Sequence, residues 1–524
     1  MPSSVTLTSV AYAAPDGTRL FSDLDLTFSP KRSGLVGRNG TGKTTILRLV
    51  CGELQPLNGS ISRPDRIGML RQLVQAEGGT VADQFDVRDD LELLERVEAG
   101  SGSDEDVLAA DWTVPDRMAA ALEAVGLGLA PDRPLATLSG GQRTRVQLAA
   151  LLFAEPDLIL LDEPTNNLDA EGRAAVVEML RKWRGGAIVV SHDRALLREM
   201  DAIVELTTLG ARTYGGNWDA YAERKATEHA AAEHRLDHAE RTLRETGRKA
   251  QQQRERQEQR NAAGKAQAAR GGIPRILLGG MKHRAEATTG MRSRLADKLT
   301  AQAEADAAAA RAEIEILTPL TVTLAPTGLP AGRTVLEASG LSGGPDGRDI
   351  VTDVDFRLVG PERVAISGPN GSGKTTLLRL LTGTLAPTAG ALRITARHAM
   401  LDQQVSLLDP ALSIRDNFRR LNPAATENDC RAALARLMFR AEAALQVVGS
   451  LSGGEMLRAA LAATIGSDTP PELLILDEPT NHLDIHAIAA VEAGLRSYDG
   501  ALLGVSHDRD FLEAIGVERE LVLR

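Results

Sequence analysis

The chain has 524 residues, too many for one ordinary hydrophobic core, so its length predicts two to four domains. Hydrophobic residues make up 43% and charged residues 25%, as in a soluble globular protein, and no stretch approaches the roughly 20 apolar residues that cross a bilayer. The net charge of −11 argues against a nucleic-acid surface spread over the whole chain, and two widely spaced cysteines exclude a disulfide-built secreted protein. We therefore expect a cytoplasmic protein without a membrane span.

The first predicted element that carries chemistry is a β-strand at 33–36, which leads into a glycine-rich loop and then a helix. In such a loop, backbone N–H groups surround phosphate oxygens, a lysine reaches the outer phosphates and a hydroxyl binds Mg²⁺. A glycine-rich turn without a ligand is the alternative for a single match. The predicted ATP-binding residues are Gly37, Asn39, Gly40, Gly42, Lys43, Thr44 and Thr45, with Thr44 also a magnesium ligand.

Three further features precede the next buried strand. Gln72 follows a short apolar run at 67–70, where its amide would ligate Mg²⁺ or the attacking water, and a surface glutamine is the alternative. Residues 99–106 combine Gly, Ser and acidic side chains, so we expect a loop there. A hydroxyl and glycine amides at a helix N-terminus form a second anion site. The sequence predicts such a site at Ser139, Gly140 and Gly141.

Two predicted strands are each followed by polar residues of the kinds that take part in hydrolysis. The apolar run at 158–161 predicts a strand buried on both faces, followed by Asp162 as a magnesium ligand and Glu163 to polarise the attacking water. A strand at 187–190 precedes His192, which lies 29 positions after Glu163 and is expected to contact the γ-phosphate. For a single copy of these motifs, the alternatives are that the acids only cap the following loop and that the histidine is structural.

Residues 217–320 are predicted to form a mostly helical linker, because they are rich in Ala, Arg, Glu and Gln. Gly and Pro residues between 263 and 280 predict the turn of a helical hairpin. Residues 241–298 contain 15 Lys or Arg and 5 Asp or Glu, a local charge of +10, so the other residues carry −21. This contrast favours a localised polyanion contact, with solvation of an exposed helix as the alternative.

The second half repeats the first in the same order, and Glu478 and His507 are again 29 positions apart. The predicted ATP-binding residues are Gly368, Asn370, Gly371, Gly373, Lys374, Thr375 and Thr376, with Ser452, Gly453 and Gly454 as the second anion site. The predicted magnesium ligands are Thr375, Gln403 and Asp477, and the predicted catalytic residues are Glu478 and His507. Both halves place a glycine-rich loop between a predicted strand and a predicted helix. This repetition removes the alternative of a glycine-rich turn that binds no ligand. The strand–helix alternation predicts an α/β fold with P-loop ATPase domains at 1–216 and 321–524.

The repeat also predicts how the halves work together. One domain cannot easily bring both its phosphate loop and its Ser-Gly-Gly segment onto one phosphate chain. Two domains facing head to tail can clamp each ATP between the phosphate loop of one half and the Ser-Gly-Gly of the other. We therefore expect a monomer with two sites between its halves, closed by ATP and released by hydrolysis.

This ordered set of motifs resembles that of ATP-binding-cassette ATPases. Two cassettes, no membrane span, the Asp-Glu-Pro-Thr-Asn-His-Leu-Asp segment at 477–484 and a charged helical linker are similar to the ABC-F subfamily. The resemblance implies a cytoplasmic factor whose linker reaches tRNA on the ribosome and which tunes translation, relieves stalls or confers antibiotic resistance. It also implies that Tyr12 stacks on adenine, whereas the corresponding residue of the second half is Ser342.

We therefore expect an ATP- and Mg²⁺-dependent factor that contacts rRNA and tRNA through its basic linker. Two alternatives remain at this point: a cytosolic ATPase subunit of a separate membrane transporter, and an ATPase that binds DNA structures. Co-sedimentation with ribosomes would support the ribosome-binding factor, whereas co-purification with membranes would support the transporter subunit. Nuclease-treated pull-downs would distinguish RNA from DNA.

Overall fold

The computed structural model describes residues 4–70, 78–166, 168–207, 210–269, 298, 301–309, 324–439, 441–481 and 483–523. The chain divides into two compact units, one comprising Met1–Tyr221 with Pro319–Arg524 and the other comprising Ala222–Thr318. The domain limits predicted from sequence, after 216 and after 320, differ from this division by a few residues. At the first limit, Tyr221 packs edge-on against Tyr214 with ring centroids 5.1 Å apart, which ties the start of the linker to the first unit.

The first half, cassette 1, alternates strands and helices as predicted. Its strands are β1 (Val5–Ala13), β2 (Arg19–Phe28), β3 (Arg32–Gly37), β4 (Asn58–Ser62), β5 (Ile67–Leu70), β6 (Leu158–Asp162), β7 (Gly186–Val190), β8 (Ala202–Thr207) and β9 (Gly210–Gly215). Its helices are α1 (Lys43–Cys51), α2 (Val81–Gln84), α3 (Arg88–Glu98), α4 (Asp104–Ala109), α5 (Val114–Ala124), α6 (Gly140–Phe153), α7 (Ala170–Lys182) and α8 (Arg194–Leu197), with a 3-10 turn at Leu135–Thr137.

Within the described part of cassette 1, six strands form a sheet in the order β5-β6-β7-β3-β8-β9, in which only β9 is antiparallel to its neighbour. A smaller antiparallel sheet has the order β2-β1-β4. Every residue of β6 and β7 is buried, as expected for parallel strands covered on both faces. The predicted strands are confirmed, and the carboxyl ends of β3, β6 and β7 meet at one edge, where the motif residues follow.

The linker begins as one long helix. Helix α9 (Trp218–Ala269) has 52 residues, and residues 301–309 are also helical. The prediction that the hairpin turn begins at 263 is wrong, because the helix continues through Ala269. Residues 261–269 include five alanines, the best helix formers, and these offset the cost of about 1 kcal/mol for placing Gly264 inside a helix. The rest of the predicted turn, 270–280, lies outside the described residues.

The second half, cassette 2, repeats this architecture. Its strands are β10 (Thr334–Gly343), β11 (Val351–Val359), β12 (Arg363–Ser367), β13 (Ala389–Ile394), β14 (His398–Leu401), β15 (Leu473–Asp477), β16 (Ala501–Val505) and β17 (Arg519–Val522). Its helices are α10 (Lys374–Leu381), α11 (Ile414–Leu421), α12 (Glu427–Arg436), α13 (Gly453–Thr464), α14 (Ile485–Arg496) and α15 (Arg509–Ala514), with 3-10 turns at Pro345–Gly347, Ala441–Leu445 and Val448–Ser450. Among the described residues, the parallel sheet has the order β14-β15-β16-β12-β17 and the antiparallel sheet β11-β10-β13.

The segment of cassette 1 between the phosphate loop and the Ser-Gly-Gly motif departs from the predicted loop. Residues 99–103 form turns and coil, but Asp104–Ala109 is a helix. Ser103 caps it, with its hydroxyl accepting from the Asp106 N–H at 3.1 Å and the Asp106 carboxylate accepting from the Ser103 N–H at 2.9 Å. The three acidic residues that suggested a loop therefore occupy the first turn of a helix, where negative charge is favourable.

Candidate active site

Each phosphate loop lies between a central strand and a helix that packing holds in place. Ile46 and Leu47 of α1 are fully buried, as are Leu377 and Leu378 of α10. Gly37 ends β3 with φ 151°, a backbone conformation that favours glycine, and Gly368 repeats that value after β12. A Cβ on Gly368 would meet the Leu523 carbonyl oxygen at 2.7 Å, so a larger residue would displace the loop.

The lysine of each phosphate loop hydrogen-bonds to backbone carbonyl oxygens of that same loop. The Lys43 ammonium donates to the carbonyl oxygens of Gly37 at 2.7 Å and Arg38 at 3.1 Å. Lys374 does the same with Gly368 at 2.7 Å and Pro369 at 3.0 Å. Burial lowers the pKa of both lysines, with nearby carboxylates opposing the shift. Both cations therefore lie in the loop where they would meet phosphate oxygens.

A hydroxyl and a carboxylate lie together at each loop. The Thr375 hydroxyl donates to Asp477 Oδ1 at 3.4 Å, and the side chains of Thr44 and Asp162 also hydrogen-bond. Burial raises the pKa of Asp162 and of Asp477, and the threonine hydrogen bonds oppose this. These oxygen donors fit Mg²⁺, which in nucleotide sites takes few protein ligands and completes its octahedron with phosphates and water.

A glutamate and a histidine form a close pair at each site. His192 Nε2 lies 3.2 Å from Glu163 Oε1, and His507 Nε2 lies 3.3 Å from Glu478 Oε1. The backbone places the glutamates, since the Glu163 N–H donates to the Val190 carbonyl at 2.9 Å and both glutamates have a positive φ, 50° and 48°. Such a conformation is rare outside glycine and is often found at functional sites.

Burial sets the ionisation of these pairs. It raises the pKa of Glu163 to about 8 and that of Glu478 to about 7. It lowers the pKa of His192 to about 3 and that of His507 to about 4. Among the described residues, Glu478 Oε2 and His192 Nδ1 are buried without a hydrogen-bond partner. The histidines are therefore neutral, and the glutamates have pKa values suited to accept a proton near neutral pH.

Two cavities gather most of the predicted site residues. The cavity of cassette 1 is lined by Asn39, Gly40, Gly42, Lys43, Thr44, Thr45, Asp162, Glu163 and His192. The cavity of cassette 2 is lined by Asn370, Gly371, Gly373, Lys374, Thr375, Thr376, Gln403, Asp477, Glu478 and His507. Each cavity also includes residues of the opposite cassette, such as Asn481 and Ile488 in the first and Leu168 in the second. The two sites therefore lie between the halves.

An aspartate of each cassette binds the phosphate loop of the other. The Asn39 N–H donates to Asp484 Oδ2 at 2.8 Å, and the Asn370 N–H donates to Asp169 Oδ2 at 3.3 Å. The other oxygen of Asp484 caps α14 by accepting from the Ala487 N–H at 2.8 Å. The halves thus face each other head to tail. Neither aspartate was among the residues predicted from the sequence, although each lies seven positions after the predicted metal-ligand aspartate of its half.

The Ser-Gly-Gly segments do not line either cavity. Ser139 and Ser452 cap α6 and α13, and each hydroxyl accepts from an amide of its own helix, Gln142 N–H at 3.2 Å and Glu455 N–H at 3.4 Å. The predicted helix N-termini are therefore present. Burial tends to raise the pKa of Glu455, in the first turn of α13, whereas its hydrogen bonds with Ser452 and the charges of Arg458 and of Arg38 in the opposite phosphate loop lower it.

The structure bears differently on the two other residues predicted to bind ligands, Tyr12 and Gln72. Tyr12 lies in β1 opposite Phe21, partly buried against the core of cassette 1, and is not among the residues that line the cavity there. Ser342 of β10 accepts a hydrogen bond from the Asp353 N–H at 2.9 Å. Gln72 lies outside the described residues, so its predicted role stays a prediction.

Comparison with known proteins identifies the family. The family model described as ABC transporter matches residues 21–166 and 351–481. The tylosin resistance ATP-binding protein TlrC of Streptomyces fradiae is 34% identical over 94% of this chain and 93% of that protein. The energy-dependent translational throttle protein EttA of Mycobacterium tuberculosis is 30% identical over 94% of this chain and 87% of that protein, and ABC transporter F family member 5 of Arabidopsis thaliana is 30% identical over 94% and 71%.

The chain belongs to the ABC-F subfamily of ATP-binding-cassette ATPases. Solved structures agree with the tandem-cassette fold of this ABC-F protein. The archaeal ribosome recycling factor aABCE1, in complex with the stalk protein aP1, matches 98% of this chain and 87% of its own, with a TM-score of 0.59 at 19% identity. No helix in the described parts of this ABC-F protein is long and apolar enough to cross a membrane.

The aspartates that join the cassettes of this ABC-F protein lead to a testable expectation. Asp484→Asn keeps a good helix cap but has only one acceptor oxygen, so it cannot bond both Ala487 and Asn39. A charge-assisted hydrogen bond is worth about 1.5–3 kcal/mol. We expect the ATP concentration for half-maximal hydrolysis to rise at least about tenfold, measured by phosphate release; unchanged kinetics would mean that the Asn39–Asp484 bond does not contribute to closure.

Proposed function

We propose that this ABC-F ATPase hydrolyses ATP to ADP and phosphate at two Mg²⁺-containing sites between its cassettes. The observation that carries this proposal is the repeated Glu–His pair, 3.2 and 3.3 Å apart, at the end of a strand beside a phosphate loop. Glu163 and Glu478 accept a proton from the attacking water, and the neutral His192 and His507 contact the γ-phosphate. Lys43 and Lys374 stabilise the outer phosphates in transfer.

The residues of each cassette share the work of binding and closure. Thr44 with Asp162, and Thr375 with Asp477, hold Mg²⁺, which neutralises charge on the phosphates when bound. Gln403 of cassette 2, and Gln72 at the corresponding place in cassette 1, ligate the metal or orient the water. Ser139-Gly140-Gly141 and Ser452-Gly453-Gly454 approach the opposite nucleotide on closure, and Tyr12 contacts adenine. Hydrolysis then removes the γ-phosphate that joins the two halves.

We also propose that the cycle controls binding to the ribosome and thereby modulates translation. The relatives support this, since one is named for translational throttling and another for resistance to tylosin. Residues 241–298 of the linker support it through their local charge of +10 within a chain of net charge −11. Arg241, Arg244 and Arg248 of α9 are exposed, as contacts to rRNA or tRNA phosphates require. The protein acts as a cytoplasmic monomer, since the two halves of one chain supply both sites.

The pH dependence of hydrolysis follows from the glutamates. A protonated glutamate cannot accept a proton from water, and burial raises the pKa of Glu163 to about 8 and of Glu478 to about 7. The rate at saturating ATP is therefore expected to fall as pH is lowered from 8.5 to 6, approaching about tenfold per unit on the acid limb. A rate that stays flat over this range would contradict the proton-accepting role, and circular dichroism at each pH controls for unfolding.

A further inference from the structure

One arginine of cassette 1 binds a carboxylate of cassette 2 and a carboxylate of the linker helix at the same time. Arg198 Nη1 and Nη2 each donate to an oxygen of Asp510 at 2.8 Å, in a two-pronged pair across the interface. Arg198 Nε donates to Oδ1 of Asp219, in the first turn of α9, at 3.0 Å. Three donor nitrogens of one planar guanidinium therefore join two carboxylates from different parts of the molecule.

The two cassette residues of this contact belong to the segments that follow the site histidines. Arg198 directly follows α8 and lies six positions after His192, and Asp510 is in the first turn of α15, three positions after His507. The side chains that hold these short helices in their own cassettes are buried: Leu196 and Leu197 in α8, and Phe511 in α15. A movement of one cassette relative to the other therefore makes or breaks the Arg198–Asp510 pair.

The first turn of α9 is attached to cassette 1 by buried contacts. Trp218 and Tyr221 are buried, and the Tyr221 hydroxyl donates to Glu205 Oε1 at 2.9 Å. Glu205 lies in β8, which pairs with β3, the strand that leads into the phosphate loop. Asp219 is itself 62% exposed and contacts Arg198 from this anchored turn. The linker helix thus begins on cassette 1, and Arg198 connects its first turn to cassette 2.

The internal repeat shows that this contact has no equivalent in the reverse direction. Corresponding residues lie 315 positions apart, as the two site glutamates do. By this correspondence, the counterpart of Arg198 is Glu513 and that of Asp510 is Ala195, and these two residues cannot form an ion pair. The three-way contact is therefore specific to the side of the interface from which the linker helix continues.

We propose that Arg198 is a positioning residue that couples closure of the two cassettes to the linker helix. This inference rests on the proposed ATP-driven closure and names the contact through which closure reaches the linker. In the closed form, Asp510 fixes the guanidinium, and the guanidinium fixes the first turn of α9 through Asp219. Once the cassettes separate, Arg198 loses Asp510 and binds Asp219 alone. Lysine cannot replace it, because an ammonium lacks the planar fork that meets both carboxylates.

Hydrogen–deuterium exchange of the full chain tests this coupling on the linker helix itself. In the Glu163→Gln, Glu478→Gln background, the amides of residues 222–229 in α9 are expected to exchange about twofold to fivefold more slowly in ATP than in ADP, the range that an exposed charge pair provides. Asp219→Asn should remove this difference, while both phosphate loops keep their protection by ATP. Comparing the two nucleotides cancels the effect of the substitution on the helix N-terminus, which is the same in both.

Further variants in the same background separate coupling from a purely structural role. Arg198→Lys keeps the charge but should lose the ATP-dependent protection of α9, as Asp219→Asn does. Asp219→Asn combined with Asp510→Asn should have no more effect on α9 than either change alone, because both act through one guanidinium. The matched control is Asp237→Asn, the same chemical change at an exposed position of the same helix, and it should leave the protection of α9 unchanged.

Three results would overturn the inference while leaving the proposed closure intact. The first is equal exchange of α9 in ATP and ADP although ATP protects the phosphate loops. The second is ATP-dependent protection of α9 that survives Asp219→Asn or Arg198→Lys. The third is additive loss in the Asp219→Asn, Asp510→Asn combination, which would mean two independent contacts. If ATP does not protect the phosphate loops of the background variant, the proposed closure fails and this inference fails with it, so the loops distinguish the two kinds of failure.

Discussion

Replacing both Glu163 and Glu478 by Gln is expected to lower ATP turnover by about 10²–10⁴-fold while ATP still binds. Gln has the size of Glu and can hydrogen-bond to the histidine that lies 3.2 or 3.3 Å away, so the loops should keep their shape. It cannot accept a proton from the attacking water. Phosphate release and equilibrium binding of ATP, measured on the same preparation, separate the two effects.

A matched control for this double variant is Glu171→Gln. Glu171 is exposed in the first turn of α7, outside the residues that line the two cavities, so the same chemical change there should leave turnover within about twofold. Each single variant should retain one working site. Turnover at the parent rate in the double variant would show that neither glutamate accepts the proton.

Neutralising the linker arginines is expected to weaken ribosome binding and its dependence on salt. In the triple variant Arg241→Gln, Arg244→Gln and Arg248→Gln, up to three phosphate contacts are lost, since all three side chains are exposed on α9. Each contact contributes about 0.7–0.9 to the slope of log affinity against log salt concentration, so the slope should fall by about 2–3. Sedimentation with ribosomes over a salt series measures this slope, and the basal ATPase rate should stay unchanged.

The control for the linker removes the same charge from the cassettes. Arg96, Arg184 and Arg393 are exposed residues of the two cassettes, and their replacement by Gln changes the net charge equally. This control should shift ribosome affinity much less than the linker variant. Equal effects of the two triple variants would mean that binding follows net charge rather than a contact made by the linker.

Most of the fold follows from local sequence patterns. The strands at 158–161 and 473–476 could be predicted because buried parallel strands are continuous apolar runs, and the structure extends each by the aspartate that follows. The Glu–His pairs could be predicted because the spacing of 29 positions recurs in both halves. The prediction of a loop at residues 104–106 was wrong, because acidic residues that suggest a loop are equally suited to the first turn of a capped helix.

The contacts between the cassettes could not be predicted in the same way. Asn39 and Asp484 are 445 positions apart, and no periodic pattern links them. Arg194 and Glu492 form a contact of 2.7 Å between the cassettes and are likewise 298 positions apart. The sequence repeat indicates that the halves correspond, whereas the packed interface determines where they differ.

The measurement that tests the central claim most directly is sedimentation of the Glu163→Gln, Glu478→Gln double variant with ribosomes in ATP and in ADP. If ATP closes the two cassettes head to tail and the closed form binds, the variant should pellet with ribosomes in ATP and stay in the supernatant in ADP. Equal distribution in the two nucleotides, or ATP-dependent recovery with membranes instead of ribosomes, would contradict this account.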